Sequence, residues 1–300
     1  MTADAKSPTL IHLKVEPKTV ADAARLLAAL AEIAAVDSDF SYSIDPESGE
    51  IILGGQSELH LDFKCDNLMR VHGVNVIIGA PQVAYRETLM RAADVDYTHK
   101  KQIGGIRQFA RVKLEVAPRK RGEGVEYVSS FIDAPEIAPF ARAVEKGVRS
   151  VCDNGLLIGF PMTDLSVSWT DGSFDTEGST PVAFEIATRA AMKQVCEMAG
   201  LAILEPIMAV ETVTPPEFIG NVLRDFDSRR GKIIGQDMRG QSVVVRAHVP
   251  LASMFGYVSE LGRKTTGRAT YTMQYDHYAL VPRNIADGPD NFPPAVGMRA

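Results

Sequence analysis

Residues 207–249 read IMAVETVTPPEFIGNVLRDFDSRRGKIIGQDMRGQSVVVRAHV, and the spacing of their apolar side chains changes period along the way. IMAVETV (207–213) is a first strand. PEFIGNVLRDFDSRRG then places Phe218, Ile219, Val222, Leu223 and Phe226 on one helical face and stops at Gly231. KIIGQDMRG turns the chain back. In VVVRAHV, Val243, Val245, Ala247 and Val249 alternate with Val244, Arg246 and His248, as in a half-buried strand. Further out, LASMFGYVSELGRKTTG (251–267) is helical and RATYTMQYDHY (268–278) alternates again. The order is βαββαβ, that of a ferredoxin-like sandwich.

The same order occurs near the start. LIHLKVE (10–16) alternates, Val20, Ala24, Leu27, Leu30, Ala31 and Ala34 have helical spacing, and FSYSI and EIILGG flank the turn-rich DPESG as a hairpin. SELHLDFKCDNLMRVHG starts on a serine cap and stops at Gly73, and VNVIIG supplies a last strand. Two copies of one small architecture imply two separately folded modules. Between them the design differs. Helices are expected at 136–153 and 181–199, with strands in RQFARVKLEV and DLSVSW. The expected fold is therefore α+β: two ferredoxin-like sandwiches, at 9–84 and 205–281, flanking an elongated α/β domain at 85–204. A flexible N-terminus (1–8) and a Pro- and Gly-rich, mobile tail (282–300) complete the division.

With 300 residues, 45% apolar and 23% charged, the composition is that of a globular protein of two or three domains. No stretch approaches the roughly 20 apolar residues of a membrane span, and MTADAKSPT has neither a secretory nor a transit pattern. A cytoplasmic protein with no membrane partner is expected. Cys65, Cys152 and Cys196 are odd in number, far apart and set in apolar patterns, which reads as core packing rather than disulfides or a metal site. The net charge of −6 gives no global attraction to nucleic acid, so RNA contact needs a local basic patch.

A family resemblance runs through VEPKT (15–19), GxxELHLD (55–62), PQVAYRET (81–88), KQIGGIRQFARV, AVEKGVR, EPIMAVETVTPPEF, SRRGKIIG, VPLASMFGY, GRATYTMQYDHY and VPRNIA, in that order. Over about residues 9–286 the chain resembles the C-terminal half of the elongation factor G family. The resemblance implies that the ferredoxin-like units correspond to domains III and V and the middle segment to domain IV, with a ribosomal-protein-like fold. It further implies a middle domain reaching toward the tRNA–mRNA decoding region during translocation, and outer units near the GTPase centre and the stalk base of the ribosome. GTP and magnesium would belong to a GTPase domain on the same longer chain, because no GxxxxGK[ST] occurs in this sequence. No cofactor, metal or catalytic residue is expected in this chain, and a monomer is expected. Two other readings are a GTPase domain supplied by a separate chain and a stand-alone ribosome-protection or regulatory RNA-binding module without GTPase activity.

The run from His99 to Arg121 holds Lys100, Lys101, Arg107, Arg111, Lys113, Arg119, Lys120 and Arg121 against the single acid Glu115. Such density suits RNA phosphates, although charge alone also fits a solvated strand and loop. By the resemblance, Lys100, Lys101, Gly104, Gly105, Arg107 and Gln108 form one tip loop of domain IV, and Ser173 and Asp175 belong to a second. Asp175 stands where the family pattern has His, and GGIRQF stands for the usual GGRGQF, which suggests a divergent paralogue. A carboxylate beside RNA phosphates repels where an imidazole could donate a hydrogen bond. In the last module Arg229, Arg230 and Lys232, and Arg263, Lys264 and Arg268, cluster at two helix ends. They suit the helix macrodipole, and together they also suit an RNA-facing surface. His60, with Glu58 and Asp62, is set aside as a metal site because that spacing does not share one helical face, and no ligand pairing is evident among the other histidines.

Overall fold

The computed structural model describes residues 9–45, 49–103, 106–131, 136–175, 177–282 and 285. The N-terminus 1–8, the glycines Gly104 and Gly105, the middle of DPESG and the tail from 286 lie outside them. The described residues form two compact units, one from 9–84 together with 205–279 and the other from 85–204 together with 280–282 and 285.

In the first module β1 (Ile11–Pro17), α1 (Val20–Val36), β2 (Ser41–Ile44), β3 (Ile51–Gly55), α2 (Glu58–Arg70) and β4 (Val76–Ile78) make an antiparallel sheet in the order β2-β3-β1-β4. Both helices start where a hydroxyl satisfies an otherwise orphaned N–H: Thr19 accepts from Asp22 and Ser57 from His60, each at 3.1 Å. Leu13 and Val15 of β1 are buried, as are Leu26, Leu30 and Ile33 of α1 and Leu61, Cys65 and Leu68 of α2. Each large aliphatic side chain so buried stabilises by about 1.5–3 kcal/mol. A short strand β5 (Gln82–Val83) pairs with β1 opposite Ile11.

The second unit begins with β6 (Arg86–Leu89), β7 (Ala93–Ile103), β8 (Ile106–Pro118) and β9 (Val125–Ser129). It continues through α3 (Ala138–Asn154), β10 (Leu165–Ser173) and α4 (Pro181–Ala199). Its sheet has the order β7-β8-β10-β9, with β9 and β10 parallel and joined through α3. Both expected helices are present within two residues at their ends. Val112 and Leu114 of β8, Val167 and Trp169 of β10, Val144 and Val148 of α3, and Phe184, Ala187 and Val195 of α4 share one buried cluster. The helices approach closely at Gly147, where an added Cβ would lie 2.9 Å from Thr188 Cβ.

Glu87, on β6, is fully buried and meets no cation among the described residues. Its carboxylate instead accepts the backbone N–H groups of Leu156, Leu157, Ile158, Gly159 and Phe160 at 2.7–3.2 Å, which ties the segment after α3 to β6. The turn into that segment needs Gly155, whose φ is 66° and whose added Cβ would sit 2.1 Å from Phe160 O.

The last module runs β11 (Leu201–Thr214), α5 (Ile219–Ser228), β12 (Lys232–Arg239), β13 (Ser242–Pro250), α6 (Tyr257–Lys264) and β14 (Thr270–Leu280). The first residues of β11 pair with β6, and the rest, from Ile207, pair with β13. Its strand order, β12-β13-β11-β14, is the same permutation as in the first module. KIIGQDMRG, expected from its sequence to be a return turn, is the strand β12. It lies at the sheet edge and is exposed along nearly its whole length, so it carries no alternating apolar pattern. Cys65, Cys152 and Cys196 are buried free thiols, and burial pushes them up to about 11, 12 and 12.

Candidate nucleic-acid interface

The β7–β8 hairpin sets Lys100 opposite Phe109, Lys101 opposite Gln108 and Gln102 opposite Arg107. Gln108 meets buried His99 across the hairpin, with Oε1 3.1 Å from Nε2. The loop following β10 closes against the same strand. The Phe109 N–H donates to Gly178 O at 2.9 Å, and Ser179 Oγ donates to Phe109 O at 2.8 Å. Within the loop the Asp175 N–H donates to Ser179 Oγ at 2.8 Å and the Glu177 N–H to Asp175 Oδ1 at 2.9 Å. The Arg107 guanidinium then reaches Asp175 at 3.0 Å, so the two tip segments form one constellation. Ser173 ends β10 next to them, half-buried and opposite Arg111.

Along the basic run, arginines and lysines part company. Arg107 pairs with Asp175, Arg111 with Asp96 and Asp171, Arg119 with Glu123 and Glu126, and Arg121 with Asp164. Lys100, Lys101, Lys113 and Lys120 form no ion pair among the described residues. Lys100 and Lys101 are both exposed, and the Asp175 charge is met by Arg107. Strongly hydrated, unpaired ammonium groups on flexible stems therefore make up the available charge at the tip.

The last module uses its cations differently. Arg229 pairs with Asp225 at 3.0 Å, donates to Ser253 O and lies over the Tyr257 ring at 5.0 Å. Lys264 also meets Asp225. Arg230, in the left-handed region at φ 60°, grips Glu205 through both terminal nitrogens at 2.8 and 2.7 Å. Asp225 and Glu205 are each only 3% exposed, and buried carboxylates need such partners. At the surface Arg263 pairs with Glu260, while Arg268 pairs with Glu217 and lies over Phe218. Lys232 is exposed and forms no ion pair among the described residues.

His60 bonds Asp37 at 2.9 Å, beside Lys64. Elsewhere His248, Asp276 and His277 are brought together, each offering a donor atom within 4.8 Å of the others. The adjacent Asp276 and His277 were visible in sequence, but His248 joins them only through the sheet.

Three family models match in chain order: elongation factor G domain III over residues 7–80, domain IV over 81–200, and the elongation factor G C-terminus over 202–289. The chain is 50% identical to an elongation factor G of Cereibacter sphaeroides over 278 residues and 49% identical to that of Paracoccus denitrificans. These alignments cover 93% of this chain and 39% of each relative, so the chain spans about two fifths of their length. A crystal structure of a Thermus thermophilus protein is similar with a TM-score of 0.70 and 34% identity, over 94% of this chain and 42% of that one.

Proposed function

Because the chain belongs to the elongation factor G family, as domains III, IV and the C-terminus in order, we propose that it is the ribosome-binding portion of a translational GTPase. Joined to its GTPase domain, it promotes movement of tRNA and mRNA through the ribosome. The observation that carries this reading is the hairpin tip, where Lys100 and Lys101 stand exposed, with no ion pair among the described residues, beside a second loop locked to the same strand. Such a tip offers two free charges to RNA phosphates on a rigid β scaffold. GTP and magnesium act in the GTPase domain, and this chain supplies contacts and no catalytic group. The repulsion expected from Asp175 is offset by Arg107, which favours the translocase reading over a stand-alone module.

The test is co-sedimentation of the chain with ribosomes across a salt series. Changing Lys100, Lys101 and Arg107 to Glu weakens binding and makes the salt dependence shallower, by about one unit of log–log slope for each phosphate no longer neutralised. Binding and slope that match the parent chain would remove the RNA-facing assignment of the tip.

A further inference from the structure

The geometry points to a divalent transition-metal site made by His248, Asp276 and His277 on the sheet of the last module. His248 lies on β13 and the other two on β14, strands that both pair with β11 and so flank it. Between them the register partner of His248 is Ala209, whose methyl side chain leaves room above the middle strand. His248 Nε2 stands 3.8 Å from Asp276 Oδ2, and His277 Nδ1 stands 2.5 Å from the same oxygen. The two imidazoles lie edge to face with centroids 5.7 Å apart.

Two features separate this group from the ion pairs around it. Asp276 has no lysine or arginine partner among the described residues, whereas neighbouring Glu211 and Asp237 are both met by Arg246. The Asp276 carboxylate thus offers a negative charge for a bound cation to offset, with the two imidazoles supplying nitrogen donors beside it. All three side chains are also partly exposed, so an ion can reach them and keep water in its remaining positions. Metal–ligand distances of about 2.0–2.2 Å put donors around one ion roughly 3.4 Å apart, so the 3.8 Å pair needs to close by about 0.4 Å and the 2.5 Å pair to open by about 0.9 Å, within side-chain torsional reach. Two nitrogen donors with one oxygen select zinc, nickel, cobalt or copper over magnesium or calcium. Binding would tie β13 to β14 across β11. This site is independent of the ribosome-facing tip.

Isothermal titration of the whole chain with Zn2+ alone tests it, with Mg2+ as the contrasting probe and His248→Gln, His277→Gln and Asp276→Asn as variants. The expected result is one saturable Zn2+ site, no Mg2+ site, and at least a ~10-fold loss of Zn2+ affinity in each variant, since even outer-shell partners shift metal affinity on that scale. Circular dichroism and thermal melting without metal check that the variants fold as the parent does, and NMR should show the ring signals of His248 and His277 moving on Zn2+ addition. No saturable Zn2+ binding, or equal binding by the variants, would overturn the proposal, and so would ring shifts confined to other histidines.

Discussion

At the hairpin tip Lys100 and Lys101 stand exposed without ion pairs among the described residues. At the ends of α5 and α6, by contrast, Arg229, Arg230 and Lys264 close on Asp225 and Glu205, carboxylates that are almost fully buried. In sequence the two regions look alike, as short runs rich in cations. The difference lies in where the acids are. A cation that meets a buried carboxylate holds the fold, and removing either partner strands a charge in a poorly solvated place. A cation that meets only water is free to neutralise a phosphate.

Removing Asp225 should break that contrast most sharply. Asp225→Ala leaves Arg229 largely buried beneath Tyr257 without its acid, and it should destabilise the chain by about 3–5 kcal/mol in chemical denaturation. The paired control, Lys100→Ala with Lys101→Ala, should change stability by no more than about 0.5 kcal/mol per site while lowering ribosome affinity. If both sets altered stability alike, the division between cations that hold the fold and cations that bind would fail.

Acid sharpens the comparison from the side of the carboxylates. Asp37, at the end of α1, is held well below the usual carboxylate range, first by the Lys64 ammonium and then by His60, against an opposing effect of burial. Its folded value is depressed, so the pairing stabilises the chain above the unfolded value of about 3.9 and fades as pH falls toward the folded value. Denaturation midpoints measured between about pH 5 and pH 2 should therefore fall with pH. The fall should be smaller in Lys64→Met, which lacks the largest cause of the depression.

Periodicity carried the first module, the rest of the last module and the long helices because each of those elements buries one face. It did not carry β12, an edge strand exposed along most of its length, in which no apolar pattern exists to be read. Glu87 is equally silent in sequence. Its partners are backbone N–H groups some 70 residues away, and any residue could supply those. The candidate cations were legible as charge, but their partners were not: Glu205 reaches Arg230 across 25 residues, and Asp225 meets Lys264 across 39. His248 joins Asp276 and His277 only because β11 lies between their strands. Spacing reports which face a residue takes, whereas sheet order decides which faces meet.

The smallest expected effect belongs to the pair in which the two kinds of cation meet. Arg107 sits at the tip beside lysines that have no ion pair among the described residues, yet it is paired with Asp175 at 3.0 Å, and its side chain is half exposed. An exposed pair of this sort contributes about 0.2–1 kcal/mol, so a double-mutant cycle with Arg107→Ala and Asp175→Ala should return a stability coupling in that range. Ribosome binding should respond in opposite directions to the two single changes. On the proposed reading, Arg107→Ala leaves the Asp175 carboxylate without its guanidinium and weakens binding, whereas Asp175→Ala frees the guanidinium and strengthens it. If both changes weakened binding equally, the loop geometry that the pair maintains would matter more than the charge, and the tip would bind by shape.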